Sequence, residues 1–145
     1  MESVSQTSCA LNTYTKLMRA AESVTNRVYA SMAKFNLTIS QFGVLEALYH
    51  KGPLCQRDIA VKILKSTGNI TMVIDNLEKR GLVRRERDSE DRRYLTVHLT
   101  PEGQALIAPA FAKVETAIFA ELTVLSRQEQ EMLGRLCKKL GLKSA

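Results

Sequence analysis

Apolar residues recur every three or four positions along much of the chain, and this spacing predicts amphipathic helices. One such stripe runs from residue 9 to about residue 35 without glycine or proline, so it predicts a long first helix that Asn36 ends. At about 40 Å this helix is longer than a small domain needs, which suggests that it packs against a second subunit. Thr38 and Gln41 have the spacing of a capping box and predict a second helix, which Gly52 ends.

Residues 54–80 have the pattern of two short helices separated by a turn. The first extends from about Cys55 to Ile63, and the second begins at a cap, Ser66 or Thr67, and stops at Gly81. Positions 70, 73, 74 and 77 of the second helix are apolar and share one face, so they are expected to be buried. The polar residues between them are therefore expected to face outward.

A densely charged run, Arg84 to Arg93, lies between two strand-like segments, Leu82-Val83 and Leu95 to Leu99. A hairpin with several arginines at its tip is poorly suited to burial in a hydrophobic core, but it is well suited to the negative potential of a nucleic-acid groove. Helix, turn, helix and basic hairpin together predict a winged helix-turn-helix that reads DNA. Thr100 then predicts the start of a further helix, and Ser126 with Glu129 that of the last helix.

Composition limits the classes of protein to which this chain can belong, but it does not by itself identify the function. The formal net charge of +6 favours a polyanionic partner, although the basic excess is spread over the whole chain. No apolar run is long enough to span a membrane, and the first nine residues are polar, so a cytoplasmic protein is expected. No catalytic constellation, phosphate loop or metal-ligand spacing is present, and the sequence therefore predicts neither an enzyme nor a cofactor or metal site.

These motifs resemble the MarR family, the multiple antibiotic resistance regulators, over essentially the whole chain. The most specific stretches are the run Asn76-Leu77-Glu78-Lys79-Arg80-Gly81-Leu82-Val83-Arg84-Arg85, then Asp91-Arg92-Arg93, then Val97-His98-Leu99-Thr100-Pro101-Glu102-Gly103. The resemblance implies a homodimeric transcription regulator, usually a repressor, that binds double-stranded DNA. In such proteins the terminal helices form the dimer, and a small ligand or an oxidant often releases the DNA.

The expected fold is mostly α with a small β-wing, and it combines a winged helix-turn-helix with a helical dimerisation lobe. The expected organisation is one intertwined domain with an N-terminal dimerisation helix, a DNA-binding region and C-terminal dimerisation helices, over residues 1–37, 38–100 and 101–145.

Two groups of residues are expected to contact DNA. The recognition helix, the second of the two short helices, would place its first turns against base edges, with contacts from Ser66, Thr67, Asn69, Thr71 and Met72. In the wing, the charged hairpin, the resemblance implies that Arg93 enters the minor groove and that Asp91 orients it. The other wing arginines would either contact phosphates or brace the hairpin, and these are Arg84, Arg85, Arg87 and Arg92.

Asp75 is discordant on the outward face of the recognition helix, because a carboxylate repels phosphate. It would either accept a hydrogen bond from a cytosine amino group or pair with Lys79 one turn later. A pocket for a small aromatic or anionic effector is expected near Arg19, Tyr49 and His50, because family members often bind aromatic acids between the dimer lobe and the DNA-binding lobe.

The three cysteines, Cys9, Cys55 and Cys137, form neither a disulfide framework nor a zinc site. In peroxide-sensing relatives the reactive cysteine lies in the first helix, and alignment on Asn36 and Gln41 puts that position at Tyr14. The thiols are therefore expected to be structural or incidental. Two alternatives stay open: a thiol-oxidation-responsive repressor, and a winged-helix protein-interaction module whose wing is merely solvated.

Overall fold

The computed structural model describes residues 2–63 and 67–143. Its helices and strands, in chain order, are α1 (Glu2–Val28), a 3₁₀ helix (Ala30–Phe35), α2 (Ile39–Lys51), β1 (Leu54–Cys55), α3 (Gln56–Lys62), α4 (Thr67–Lys79), β2 (Val83–Arg87), β3 (Leu95–Leu99), α5 (Pro101–Leu122) and α6 (Arg127–Leu142). The chain divides into a terminal unit, residues 1–28 with 115–145, and a central unit, residues 29–114.

The central unit is built on a small antiparallel sheet with the strand order β1-β3-β2. In the hairpin, β2 pairs with β3 from Val83 opposite Leu99 to Arg87 opposite Leu95. The other edge is β1, which the sequence did not predict, since two residues are too few to show a period. The core is formed by helices α2, α3 and α4, the first part of α5 and the strand β3. Its most enclosed side chains include Phe42, Leu45, Ile59, Ile70, Ile74, Leu77, Val97 and Ile107.

The predicted helix starts rest on side-chain caps that the structure contains. The Thr38 hydroxyl accepts from the Gln41 backbone N–H, and the Gln41 side chain accepts from the Thr38 N–H, which completes a capping box. Ser126 and Glu129 form the same reciprocal pair at the start of α6. These contacts satisfy backbone donors that a helix otherwise leaves without partners.

The prediction of one long helix from residue 9 to about residue 35 is wrong at both ends. The helix α1 begins by Glu2 and ends at Val28, and a separate 3₁₀ helix follows from Ala30 to Phe35. The 3₁₀ turn buries Met32, and Asn36 then adopts a left-handed conformation at φ 54°. Apolar spacing cannot separate an α-helix from a 3₁₀ continuation, because both place residues three apart on one side.

The junction after α4 depends on a close backbone approach. Gly81 has φ +74°, and the Thr100 hydroxyl donates to its carbonyl oxygen at 2.6 Å. The same hydroxyl accepts from the Gly103 N–H at 3.0 Å and caps α5. A Cβ on Gly103 would lie 2.0 Å from the Leu82 carbonyl oxygen, so only glycine fits this contact between α5 and the residue before β2.

The terminal unit comprises α1, the end of α5, and α6. Its apolar side chains are largely exposed in the single chain, including Leu11, Tyr14, Met18, Phe119, Met132, Leu133, Leu136 and Leu140. Arg27 and Glu121 form an ion pair with an N–O distance of 2.5 Å in this unit. In the part of the chain that the structure describes, no helix is long and apolar enough to cross a membrane.

Candidate nucleic-acid interface

The helix α4 has a buried apolar face and an exposed face with polar groups, as predicted. Ile70, Ile74 and Leu77 are fully buried, whereas Asn69 is exposed and Met72 keeps 65% of its surface. Buried side chains fix the helix, so its opposite face is held in a defined position. Ser66 lies outside the described residues, and Thr67 is described only as the first residue of α4.

Thr71 is half-buried and contacts the preceding helix. The Gln56 side-chain amide, at the first position of α3, donates to the Thr71 hydroxyl oxygen at 2.8 Å. Sequence patterns give no signal for this bond, because a single glutamine at a helix start is compatible with many environments. The bond links the two helices of the helix-turn-helix through a predicted base-reading residue.

The wing tip presents one arginine in a fixed orientation. Arg93 donates from Nε to Asp91 Oδ1 at 3.0 Å and from Nη2 to Oδ2 at 2.8 Å, while its side chain stays 87% exposed. The Arg93 backbone N–H also donates to Asp91, and these hydrogen bonds lower the pKa of the Asp91 carboxyl. The predicted pairing of Asp91 with Arg93 is therefore present in the free chain.

The other wing arginines divide between bracing and exposure. Arg87 donates from Nη1 to the Arg92 carbonyl oxygen at 2.8 Å, which braces the hairpin across its tip. Arg84 pairs with Glu86 on the same strand at 3.0 Å, and its side chain is 57% exposed. Arg92 itself is exposed.

Arg85 connects the wing with the recognition helix. Its guanidinium contacts Asp75 and lies 3.0 Å from Glu78 Oε1, and its backbone N–H donates to Glu78 Oε2 at 3.0 Å. The hydrogen bonds from Arg85 lower the pKa of Glu78. Only 20% of the Arg85 side chain is exposed, so this arginine follows the bracing alternative. Asp75 pairs with Arg85, a partner that was not among the two considered for it.

Two of the three predicted effector residues lie together in the central unit. The Tyr49 and His50 rings have centroids 5.1 Å apart, and both contact Phe111, with a His50–Phe111 centroid distance of 4.5 Å. His50 also lines a cavity of about 300 Å³ between α2 and α3, together with Lys51 and Lys62. Arg19 lies on α1 in the terminal unit, where it is exposed. Phe111 was missed because helical spacing alone does not show which aromatic residues meet.

The cysteines are unbonded: Cys9 and Cys137 are exposed and Cys55 is half-buried. Across residues 2–63 and 67–143, no three His, Cys, Asp or Glu side chains are grouped as a metal site would require.

Comparison with known proteins places this geometry in a family. The MarR family model matches residues 37–95. The HTH-type transcriptional regulator MhqR of Bacillus subtilis (strain 168) is 35% identical over 133 residues, which is 92% of each chain.

Two solved structures are similar along most of their length. BpsR of Bordetella bronchiseptica, whose DNA binding is regulated by 6-hydroxynicotinic acid, matches with a TM-score of 0.80 and 26% identity over 90% of this chain and 98% of its own. NadR, solved in complex with 4-hydroxyphenylacetate, matches with a TM-score of 0.74 and 28% identity over 86% and 89%. The resemblance and the mostly α winged-helix fold inferred from the sequence are thereby confirmed, and this chain belongs to the MarR family of winged helix-turn-helix transcription regulators.

Proposed function

We propose that the chain acts in the cytoplasm as a homodimer that binds a pseudo-palindromic operator, blocks transcription there and is released by a small aromatic acid. The role is one of binding, with no catalytic step. Each protomer would place α4 in a major groove and its wing in the adjacent minor groove.

The observation that carries this proposal is the Arg93–Asp91 pair. A guanidinium held by both carboxylate oxygens is fixed in orientation yet remains 87% exposed at the hairpin tip. Because the carboxylate offsets the charge, the pair is a poor device for attracting phosphate at long range. It suits a narrow minor groove, where negative potential is concentrated and the position of one guanidinium matters.

The exposed face of α4 supports the same role. Asn69 offers an amide that can make two hydrogen bonds with adenine, and the exposed Met72 can contact a thymine methyl group. The ion pairs of Arg85 with Asp75 and Glu78 tie this helix to the wing strand β2. Helix and wing would therefore approach DNA as one body.

Dimerisation is supported by the exposed apolar stripe of α6, formed by Met132, Leu133, Leu136 and Leu140. A stripe of this length on a single chain matches the surface that a second copy would cover, and two-fold dimers are the commonest oligomers. Two linked readers would also reach the affinity that one half-site rarely provides against competing DNA.

The effector is proposed to be an aromatic acid because of the central-unit cavity. His50, Lys51 and Lys62 are potential donors to a carboxylate and outnumber Glu46, the acidic residue in the lining. Tyr49 and Phe111 lie beside His50. The ligands named for BpsR and NadR are also hydroxylated aromatic acids. Binding of 4-hydroxyphenylacetate or 6-hydroxynicotinate should raise the thermal midpoint of wild type, and His50→Ala should reduce that rise.

The decisive experiment is selection of bound duplexes from random DNA, followed by titration of wild type and two charge-matched variants. Asp91→Asn and Glu90→Gln each remove one negative charge from the wing. If Asp91 orients Arg93, Asp91→Asn should lose discrimination between selected and random duplexes, whereas Glu90→Gln should bind both more tightly at low salt. If wild type selects no sequence, the wing is solvated and a protein-interaction module becomes the better description.

A further inference from the structure

We propose that Gln56 is a positioning residue for base recognition: from α3 it holds the Thr71 hydroxyl and thereby fixes which group of Thr71 faces the DNA. The inference rests on the proposed function, since it concerns how α4 discriminates among bases. It adds a residue outside the recognition helix to the set that determines operator sequence.

The geometry joins two different helices at one atom. Gln56 is the first residue of α3, directly after β1, whose Cys55 is opposite Thr96 of β3. Its position is therefore set by the sheet as well as by its own helix. From there Nε2 reaches the Thr71 hydroxyl oxygen at 2.8 Å, in a half-buried contact between residues fifteen positions apart.

The second amide atom of Gln56 argues against a purely stabilising role. Its Oε1 is buried and has no hydrogen-bond partner among the described residues. A buried acceptor without a partner destabilises a fold, and an apolar side chain of similar shape would avoid that penalty. Among the described residues, stability alone therefore does not account for an amide at position 56, which calls for another explanation.

Control of the Thr71 rotamer provides that explanation. Threonine carries a hydroxyl and a methyl group on the same carbon, and a change of χ1 rotamer puts one of them where the other had been. While Gln56 binds the hydroxyl oxygen, such a rotation breaks a hydrogen bond. A methyl group contacts the thymine methyl, whereas a hydroxyl can bond to any base, so the two orientations read DNA differently.

Gln56→Met should therefore reduce discrimination without reducing stability. At the base pair that Thr71 reads, preference over the three substituted base pairs should fall about tenfold, the scale of one specific contact. Binding to random duplex and the slope of affinity against salt should stay as in wild type, because no charge changes. The thermal midpoint should be unchanged or higher, since the partnerless acceptor is gone.

The test is a double-mutant cycle on the duplex that wild type selects, together with duplexes carrying each single base-pair substitution. Wild type, Gln56→Met, Thr71→Val and the double variant are titrated, and each is melted in parallel. Thr71→Val removes the hydroxyl and makes the two branches alike, so adding Gln56→Met should then change discrimination by less than about twofold.

Three results would overturn the inference. The first is that Gln56→Met discriminates among the duplexes as well as wild type does. The second is that Gln56→Met lowers discrimination as much in the Thr71→Val background as in wild type, which would make Gln56 a direct DNA contact. The third is a loss that parallels a lowered thermal midpoint, which would make the bond structural. All three presuppose that wild type prefers the selected duplex, so they differ from failure of the proposed function.

Discussion

The central and terminal units treat their apolar residues in opposite ways. The central unit encloses its large side chains, and Phe42, Ile59 and Ile74 keep 1% or less of their surface. The terminal unit leaves comparable side chains open, with Phe119 at 73%, Leu136 at 55% and Leu140 at 62%. The central unit therefore has a core of its own, whereas the terminal helices expose the kind of surface that another chain covers.

Because of this difference, substitutions in the two units should affect different properties of the protein. Covering one leucine or methionine contributes roughly 1.5–3 kcal/mol, so a partner that covered the α6 stripe would gain several such contributions to the free energy of association. Changes on α6 should act on association and only secondarily on the central fold. Changes in the central unit should act on its stability or on DNA contact, with association preserved.

The largest expected effect is that of Leu136→Asp, which places a charge in the middle of the α6 stripe. An unpaired carboxylate is costly to bury, so the dimer should dissociate to a species of monomer mass in sedimentation. Operator affinity should fall by at least about a hundredfold, because each half-site would bind alone. The near-ultraviolet and unfolding signals of the central unit should persist.

Lys138→Asp is the control, since it places the same carboxylate two residues away on another side of α6, with a charge change of two units against one. It should remain dimeric and should bind the operator within a few-fold of wild type. A dimeric Leu136→Asp would show that the α6 stripe is not the surface of association.

The next effect is that of Arg93→Ala on DNA binding. Because 87% of the Arg93 side chain is exposed, the stability of the fold should hardly change. Operator affinity should fall about tenfold or more, and the salt slope should drop by about one as one cation is lost. A preference for A·T pairs at the operator flanks should weaken.

Arg84→Ala serves as the comparison, because Arg84 is also exposed and also paired with a carboxylate, that of Glu86, but lies on β2 and not at the tip of the hairpin. Its effect on affinity should be smaller and independent of flanking sequence. If Arg84→Ala is the more damaging change in a salt titration, the groove contact lies on the strand and not at the tip.

Local patterns predicted the parts of the fold that depend on neighbouring residues. Thr38 with Gln41 and Ser126 with Glu129 predicted helix starts, because a capping box is complete within four residues. The buried face of α4 followed from helical spacing, and Gly81 marked its end.

Contacts between distant residues were beyond such patterns. The bond of Gln56 to Thr71 and the meeting of His50 with Phe111 depend on how helices pack. The sequence identified the charged residues of the wing, but a run of arginines and acidic residues does not show which of them form ion pairs. Arg85 differs from Arg93 because its guanidinium reaches α4, where Asp75 and Glu78 accept hydrogen bonds from it, and no local pattern shows that contact.

Two glycine substitutions test whether the backbone is more tightly packed in the central unit than in the terminal unit. Gly103→Ala should destabilise the protein by about 1–3 kcal/mol, because its Cβ would meet the Leu82 carbonyl oxygen and force α5 away. Gly134→Ala in α6 should instead stabilise by roughly 0.5–1 kcal/mol, since nothing lies within 4 Å of its Cβ and alanine favours a helix. Denaturant unfolding of both variants measures the contrast, and equal losses would contradict it.

The smallest effect concerns the ion pairs that join α4 to the wing. Arg85 lowers the pKa of Glu78 in the folded chain below the ordinary value of 4.5, so the ionised carboxylate stabilises the fold. That contribution is fully present above about pH 4.5 and is lost as the pH falls through the lower folded-state value. Because 39% of the Glu78 side chain is exposed, solvent screening keeps this stabilisation below about 1 kcal/mol.

Glu78→Gln should therefore lower the urea midpoint slightly at pH 7, and its difference from wild type should shrink between pH 5 and pH 3. Glu131→Gln breaks a more exposed pair with Arg127 on α6 and provides the terminal-unit control, with an effect near zero at each pH. A Glu78→Gln difference that persists unchanged at pH 3 would mean that the variant acts through packing and not through the charge that Arg85 holds.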